Sequence, residues 1–111
     1  MNFNLENRDE TIIFTILNKS IEGKTAAELK SKIIIAAQPD IKALILDLTN
    51  VELMDSSGLG ALLLAHRQHK EYGFPVVLVG VQDFIKSLLK ITRIEDVFTY
   101  SESVEEALKL T

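Results

Sequence analysis

The chain has 111 residues, 47% of them hydrophobic and 25% charged, which is typical of one globular domain, and we expect a single domain over residues 1–111. The absence of cysteine excludes disulfide scaffolds, thiolate nucleophiles and cysteine-based metal sites. Sixteen acidic against twelve basic residues give a net charge of −4, which disfavours binding to nucleic acids and to anionic membranes.

Strand-like and helix-like segments alternate from the N-terminus. Alternating apolar and polar residues at 3–5 and a β-branched run at 12–17 predict two strands joined by a turn. A helix is expected to begin at Thr25, because Thr25 and Glu28 have the spacing of a capping box, and to end before Pro39. The residues between the second strand and this helix are interpreted as a loop.

The middle of the chain contains the most apolar segment. Ala43–Leu48 is apolar almost throughout, which predicts a strand buried on both faces of a largely parallel sheet. After a connection, an amphipathic helix is expected from about Ser57 to Tyr72, with Gly73 in the position of a C-terminal cap. A short apolar strand is expected at 76–79.

The last third predicts two further helices. Asp83 is expected to cap a third helix that ends at Leu89, and a short last strand is expected at 98–100. Ser103 and Glu106 have capping-box spacing before a final helix. The resulting order predicts an α/β domain, with a mixed, mostly parallel sheet of four or five strands packed with about four helices.

Two features predict a cytoplasmic protein. No apolar stretch approaches the ~18 residues that cross a bilayer. The first residues also lack the basic and apolar regions of a signal peptide, so we expect neither membrane insertion nor export.

The segment 54–60, Met-Asp-Ser-Ser-Gly-Leu-Gly, lies between a predicted buried strand and a predicted helix. Open α/β sheets place their binding sites at such strand ends, and a helix start favours anionic groups such as phosphate. A structural role is equally open: Asp55 and Ser56 as helix caps, and Gly58 as a packing position. Gly60 lies inside the first turns of the helix, where glycine weakens a helix. We therefore expect that close packing at this position leaves no room for a larger side chain.

Enzyme templates fit this segment poorly. Ser56 and Ser57 lack the preceding glycine of a nucleophile elbow, and no lysine is placed as in a phosphate-binding loop. His66 and His69 lie two to three turns along the same helix, at least ~15 Å from Ser56, too far to form a Ser–His pair. Two histidines alone do not complete a zinc site, so neither a metal nor another cofactor is expected.

The chain resembles a STAS domain, and specifically the bacterial anti-sigma factor antagonists. The matching stretches are the strand–loop–helix run at 45–60, the first-helix motif at 25–29, and the C-terminal third over 91–108. The loop upstream of the first helix departs from the family pattern. Where the family usually has Gly-x-Leu-Asp, this chain has Lys-Ser-Ile-Glu, so Glu22 keeps the acid and Lys19 replaces the glycine.

The resemblance implies a phosphorylation-switched binding module, not an enzyme. In this family the serine directly after the aspartate, here Ser56, is phosphorylated by a partner that is both a serine kinase and an anti-sigma factor. The unphosphorylated protein sequesters that partner and so frees a sigma factor for transcription. A serine phosphatase then resets the cycle.

The resemblance also implies a partner surface around Ser56. Its partner-binding residues are Glu22, Asp55, Ser57, Gly58, Leu59 and Gly60. Asp55 is expected to orient the serine and set the local charge, and the two glycines to allow close approach. Leu59 and the adjoining helix are expected to present the contact surface, in a monomer or weak homodimer.

Two other functions remain open. A STAS domain can serve as an accessory subunit of a stressosome-like or lipid-transport complex, in which Ser56 is never modified. A small enzyme that binds a phosphorylated substrate at the loop is the other possibility, and the missing base near Ser56 argues against it.

Overall fold

Five strands form the central sheet of the computed structural model, which describes residues 1–111. The whole chain has seven strands, of which β3 and β5 lie outside this sheet: β1 (Phe3–Arg8), β2 (Thr11–Ile16), β3 (Ser20–Ile21), β4 (Ala43–Asp47), β5 (Leu53–Met54), β6 (Val76–Val79) and β7 (Thr99–Ser101). The helices are α1 (Gly23–Ala36), α2 (Ser56–Tyr72), α3 (Asp83–Ile91) and α4 (Val104–Lys109), with a 3-10 turn at Glu95–Val97. None of these helices is long and apolar enough to cross a membrane.

The sheet has the order β1-β2-β4-β6-β7. Only the β1–β2 pair is antiparallel, and the other neighbours are parallel. This mixed, mostly parallel sheet with four helices confirms the predicted α/β fold. β3 and β5, which sequence analysis assigned to loops, form a separate parallel pair.

The sheet buries apolar side chains on both faces, because successive residues of a strand point in opposite directions. One face carries Phe14, Leu46 and Leu78 and forms the larger core, into which α1, α2 and α3 pack. The other face carries a smaller cluster around Ile45 and Val77, which α4 covers. The near-continuous apolar character of β4 therefore has the predicted cause, burial from two sides.

The hairpin between β1 and β2 turns through two residues with left-handed backbones, Asp9 (φ 52°) and Glu10 (φ 71°). Such a tight turn matches the twist of the two strands it joins. The Asn7 side chain supports it, because its Oδ1 accepts a hydrogen bond from the Glu10 N–H at 2.9 Å. The turn predicted before the second strand is confirmed.

Two predicted caps are confirmed, the C-terminal cap of α2 and the N-terminal cap of α4. Gly73 adopts a left-handed backbone (φ 85°) after α2, and its N–H donates to the His69 carbonyl at 2.8 Å. Ser103 caps α4, because its Oγ accepts from the Glu106 N–H at 3.1 Å.

Two predicted helix starts are wrong. α1 begins at Gly23, so Thr25 and Glu28 lie inside the helix and do not form a capping box. Asp83 does not cap α3 either, since it is the first helical residue and Gln82 precedes it as cap without a side-chain hydrogen bond. In both places the residue before the helix has an extended backbone and makes no side-chain capping hydrogen bond. Its residue type therefore does not reveal where the helix begins.

Candidate functional site

The short pair of strands β3 and β5 brings the starts of α1 and α2 side by side. Ser20 pairs with Leu53 and Ile21 with Met54, and each strand runs directly into its helix. The carbonyl of Lys19 extends the contact by accepting the backbone N–H groups of Glu52 (2.7 Å) and Leu53 (3.1 Å). Two helix N-termini, each with a positive dipole end, therefore lie at one edge of the molecule.

Lys19 occupies its loop without backbone strain. The non-glycine residues with positive φ are Asp9, Glu10 and Arg93, so Lys19 does not adopt the left-handed conformation that would require glycine. The replacement of the family's usual glycine thus leaves the backbone of this loop intact.

Asp55 is the N-terminal cap of α2. Its backbone is extended (φ −100°, ψ −172°), and its Oδ1 accepts the Gly58 N–H at 2.9 Å. The second carboxylate oxygen, Oδ2, accepts the Gly23 N–H from the start of α1 at 3.4 Å. The carboxylate therefore fixes the position of the residue that follows it, Ser56.

Ser56 is the first residue of α2 and its side chain is exposed. The hydroxyl forms no hydrogen bond within the protein, because Asp55 provides the cap. Ser57, one position later, is only partly exposed. Of the two serines, Ser56 is the one whose oxygen a partner protein reaches more readily.

Gly58 is required by the packing of the site itself. It is buried, and a Cβ atom at this position would meet the Met54 side chain and lie 2.5 Å from the Ile21 carbonyl oxygen. Nothing larger than hydrogen fits without moving the β3 backbone. Gly58 therefore permits close approach between β3 and α2, which is the packing role that its sequence position left open.

Leu59 also lies differently from the expectation. Its side chain is only 9% exposed and belongs to the larger hydrophobic core, between the sheet and the helices α1, α2 and α3. It cannot present the contact surface that the resemblance implied, and instead anchors the first turn of α2.

Gly60 is under little steric demand, contrary to the sequence-based expectation. A Cβ atom there would lie 3.1 Å from Nζ of Lys30 on α1, the free end of a flexible side chain that can move aside. What Gly60 does allow is the approach of the Lys30 ammonium group to α2. That places a cation one turn beyond Ser56.

Glu22 is exposed and precedes α1 as its cap residue. Its carbonyl accepts the Thr25 N–H at 3.0 Å, while its carboxylate makes no capping hydrogen bond. The structure thus brings Glu22 and Ser56 to one edge, linked through Gly23 and the Asp55 carboxylate.

Two apolar residues that sequence analysis did not single out flank this edge. Leu53 on β5 and Phe84 on α3 are each 50% exposed, and α3 lies against β5. Leu53 precedes the buried Met54, and adjacent residues of a strand face opposite sides, so one of the two had to point outward. That alternation was the available signal, but the strand itself was too short to predict.

The two histidines take no part in this edge. The His66 ring packs edge-on against the buried Phe98, with ring centroids 5.9 Å apart. Burial lowers the pKa of His66, and nearby His69 and Lys70 lower it further. His69 bonds through Nδ1 to the Phe74 carbonyl, and no three histidine, aspartate or glutamate side chains come together as a metal site would need.

A separate open cleft of about 580 Å³ lies beyond the ends of β4, β6 and β7. It is lined by Thr49, Gly80, Lys86, Glu102 and Glu106, among others, and Ser56 is not part of it. Two carboxylates against one ammonium group make the cleft a poor receptor for a phosphorylated substrate.

The family model of the STAS domain matches residues 2–107. The chain belongs to the STAS domain family. The anti-sigma-B factor antagonist of Listeria monocytogenes serovar 1/2a is 30% identical over 99 residues, 87% of either chain.

Solved STAS structures show the same fold. An anti-sigma-factor antagonist (STAS) domain protein from Planctomyces limnophilus has a TM-score of 0.85 at 19% identity, covering 97% of this chain and 95% of that one. The phosphorylated form of the Bacillus cell fate determinant SpoIIAA has a TM-score of 0.76 at 20% identity, covering 97% of both. The edge around Ser56 is therefore part of a STAS domain.

Proposed function

We propose that this protein is an anti-sigma factor antagonist switched by phosphorylation of Ser56. The observation that carries the proposal is the exposed, unbonded hydroxyl of Ser56 at the start of α2, directly after the capping Asp55. The name of the Listeria relative supports the antagonist role, and the phosphorylated SpoIIAA structure supports modification within this fold. The protein acts in the cytoplasm as a regulatory binding module.

The partner is an anti-sigma factor with serine kinase activity. When Ser56 is unmodified, the antagonist binds this partner and the sigma factor is released. The kinase transfers the γ-phosphoryl group of ATP to the Ser56 oxygen, which loses its proton as ADP leaves, and this modification ends the complex. A serine phosphatase then hydrolyses the phosphoserine with water to serine and inorganic phosphate. We expect the antagonist itself to supply no catalysis, and the contacts of His66 with Phe98 and of His69 with the Phe74 carbonyl support this expectation.

The partner surface is centred on the exposed edge around Asp55. Glu22 and Asp55 give it negative charge, so a phosphoryl group on Ser56 adds to a charge of the same sign. Leu53 and Phe84 contribute exposed apolar area beside that charge. Ser57 and Gly60 lie on the adjoining turn of α2. Gly58 and Leu59 are buried beneath this turn and hold it in place through their packing.

Phosphorylation is expected to act on the interface and not on the fold. A phosphoserine carries about −1.5 to −2 charge, which the helix start favours and Asp55 opposes. In the complex the same group would be buried without a partner. An uncompensated buried charge costs about 3–5 kcal/mol, roughly two to four decades of affinity.

Titration calorimetry with the cognate anti-sigma factor tests the proposal. Ser56→Ala should bind like the wild type, Ser56→Asp should bind more weakly, and the phosphorylated protein weakest. Ser57→Ala is the matched control, and it should still be phosphorylated by the kinase whereas Ser56→Ala should not. Equal affinities for phosphorylated and unmodified protein would refute the switch, because a modification without differential affinity shifts no population. Binding to a STAS-containing complex that ignores Ser56 would instead support an accessory subunit.

A further inference from the structure

The outer side of β1 is an unpaired sheet edge. The Leu17 N–H donates to the Asn2 carbonyl at 2.8 Å, so the even-numbered residues of β1 are those bonded to β2. Phe3, Leu5 and Asn7 therefore direct their N–H and C=O groups away from the sheet. No proline interrupts this strand, so it is a regular six-residue template for another strand.

Apolar side chains accompany this edge. Two side chains of α1 reach the N-terminal end of β1: the Glu28 carboxylate lies 3.2 Å from the Met1 nitrogen, and Lys32 Nζ lies 5.6 Å from the centre of the Phe3 ring. From this progression we infer that Ile35, one turn further along α1, lies level with Leu5. Leu5 is 46% and Ile35 69% exposed, so the edge has apolar area on the α1 side.

We propose that β1 pairs antiparallel with β1 of a second copy, with the two Leu5 residues opposite each other on the two-fold axis. In this register the two Leu5 residues exchange both backbone hydrogen bonds, and Asn4 of each copy lies opposite Glu6 of the other. The central sheets then join into one of ten strands. The apolar patches of Leu5 and Ile35 from both copies meet on the helical face.

The side chains of β1 select this register over its neighbours. A register shifted towards the C-terminal end of β1 can also keep the odd-numbered residues hydrogen-bonded to one another. It would place the two Glu6 carboxylates opposite each other, and they would repel. A further shift in the same direction would place Leu5 opposite Asp9, which has a left-handed backbone and lies beyond the end of β1. A shift in the other direction centres the pair on Asn4 and leaves Glu6, Asn7 and Arg8 without a partner in β1 of the other copy.

Charge sets the strength of the association. Arg8 is paired with Glu6 of its own strand at 2.7 Å, so the edge carries little net charge. Each copy nevertheless has a formal charge of −4, which opposes association and is screened by salt. The dimer is therefore expected to be weak and to tighten with ionic strength.

Cysteine cross-linking reports the register, because the chain has no cysteine of its own. In the proposed dimer the two Cα atoms at position 5 lie about 5.5 Å apart, a separation that a disulfide spans. The matched control is Asn7→Cys, whose two Cα atoms would be about 13 Å apart. Leu5→Cys should form the disulfide dimer on mild oxidation and Asn7→Cys should not; equal or reversed yields would overturn the register.

Sedimentation velocity over a concentration series tests the association itself. Leu5→Lys places a charge on the edge and should raise the dimer dissociation constant at least about tenfold. Leu110→Lys changes another exposed leucine, which directly follows α4 and is 56% exposed, and should leave the dissociation constant unchanged. Circular dichroism checks that both variants fold. A wild-type protein that stays monomeric throughout, or a Leu5→Lys variant that dimerises like the wild type, would overturn the proposal. Neither outcome depends on Ser56, so this test and that of the proposed function fail separately.

Discussion

Asp55 accepts a hydrogen bond from the backbone of Gly23, a residue 32 positions earlier in the chain, at 3.4 Å. Its other oxygen accepts from Gly58 at 2.9 Å. One carboxylate thus satisfies free N–H groups at the starts of both α1 and α2, which helices otherwise leave to water or to caps. The acid of the Asp-Ser-Ser-Gly segment is therefore a structural link between two helices as well as a neighbour of Ser56.

Replacing Asp55 should destabilise the protein. Asp55→Ala removes the cap of α2 and the link to α1, and we expect a loss of about 1–2 kcal/mol in the free energy of unfolding. Asp55→Asn should lose less, because its amide oxygen can still accept from Gly58. Urea denaturation measures both values, and variants as stable as the wild type would show that the link carries no energy.

The two glycines of α2 should respond oppositely to alanine. Gly58→Ala drives a methyl group into Met54 and the Ile21 carbonyl, and we expect a loss of about 1–3 kcal/mol. Gly60→Ala meets only the mobile end of Lys30 and should gain up to about 1 kcal/mol from helix propensity. Thermal and urea unfolding of the two variants decide the point. The reverse order of stabilities would contradict it.

Ser56→Ala should leave stability nearly unchanged. The serine is exposed and does not cap the helix, so its removal should alter the unfolding free energy by no more than about 0.5 kcal/mol. A loss near 1 kcal/mol, as for a deleted cap, would mean that Ser56 has a structural role. The same urea experiment, with Ser57→Ala beside it, provides the comparison.

His66 should make the protein sensitive to mild acid. Burial against Phe98 lowers its pKa below the value of about 6.5 that the unfolded chain retains. The unfolded state then binds the proton more readily, so this contribution to stability is full above pH 6.5 and falls as the pH drops through the folded pKa. His66→Leu should lose less unfolding free energy than the wild type between pH 7 and about 5.5. Parallel pH profiles would contradict this.

Pattern in the sequence was sufficient for the long elements. β2, β4 and β6 were predictable because burial on two faces demands unbroken apolar runs, and α2 because one face packs on the sheet. β3 and β5 were not, since two-residue strands have no period to detect. They exist because the backbones at 19–21 and 52–54 lie side by side and form hydrogen bonds, although α1 and β4 separate them along the chain.

The candidate site, like the fold, was only partly predictable from the sequence. Asp55 and Ser56 could be placed at a helix start from residue types, but which of them capped the helix depended on backbone geometry. The sequence did not show that packing requires Gly58 but not Gly60, because only the fold shows that Ile21 lies over one and Lys30 over the other. Steric demand on a glycine comes from residues distant in sequence, and local spacing does not encode it.

Tyr100 should make the protein sensitive to alkali. Its hydroxyl donates to the Glu95 carbonyl at 2.6 Å, and burial, reinforced by Glu95 and Asp96, raises its pKa to about 12. In the unfolded chain the phenol ionises near pH 10, so the native state holds its proton where the unfolded state has lost it. Stability from this group is therefore complete below pH 10 and declines as the pH rises towards about 12. Tyr100→Phe should be less stable than the wild type by about 1 kcal/mol at pH 8, from the lost hydrogen bond. The difference between the two proteins should narrow above pH 10, and a difference that stays constant up to pH 11.5 in urea titrations would show that the phenol is not protected.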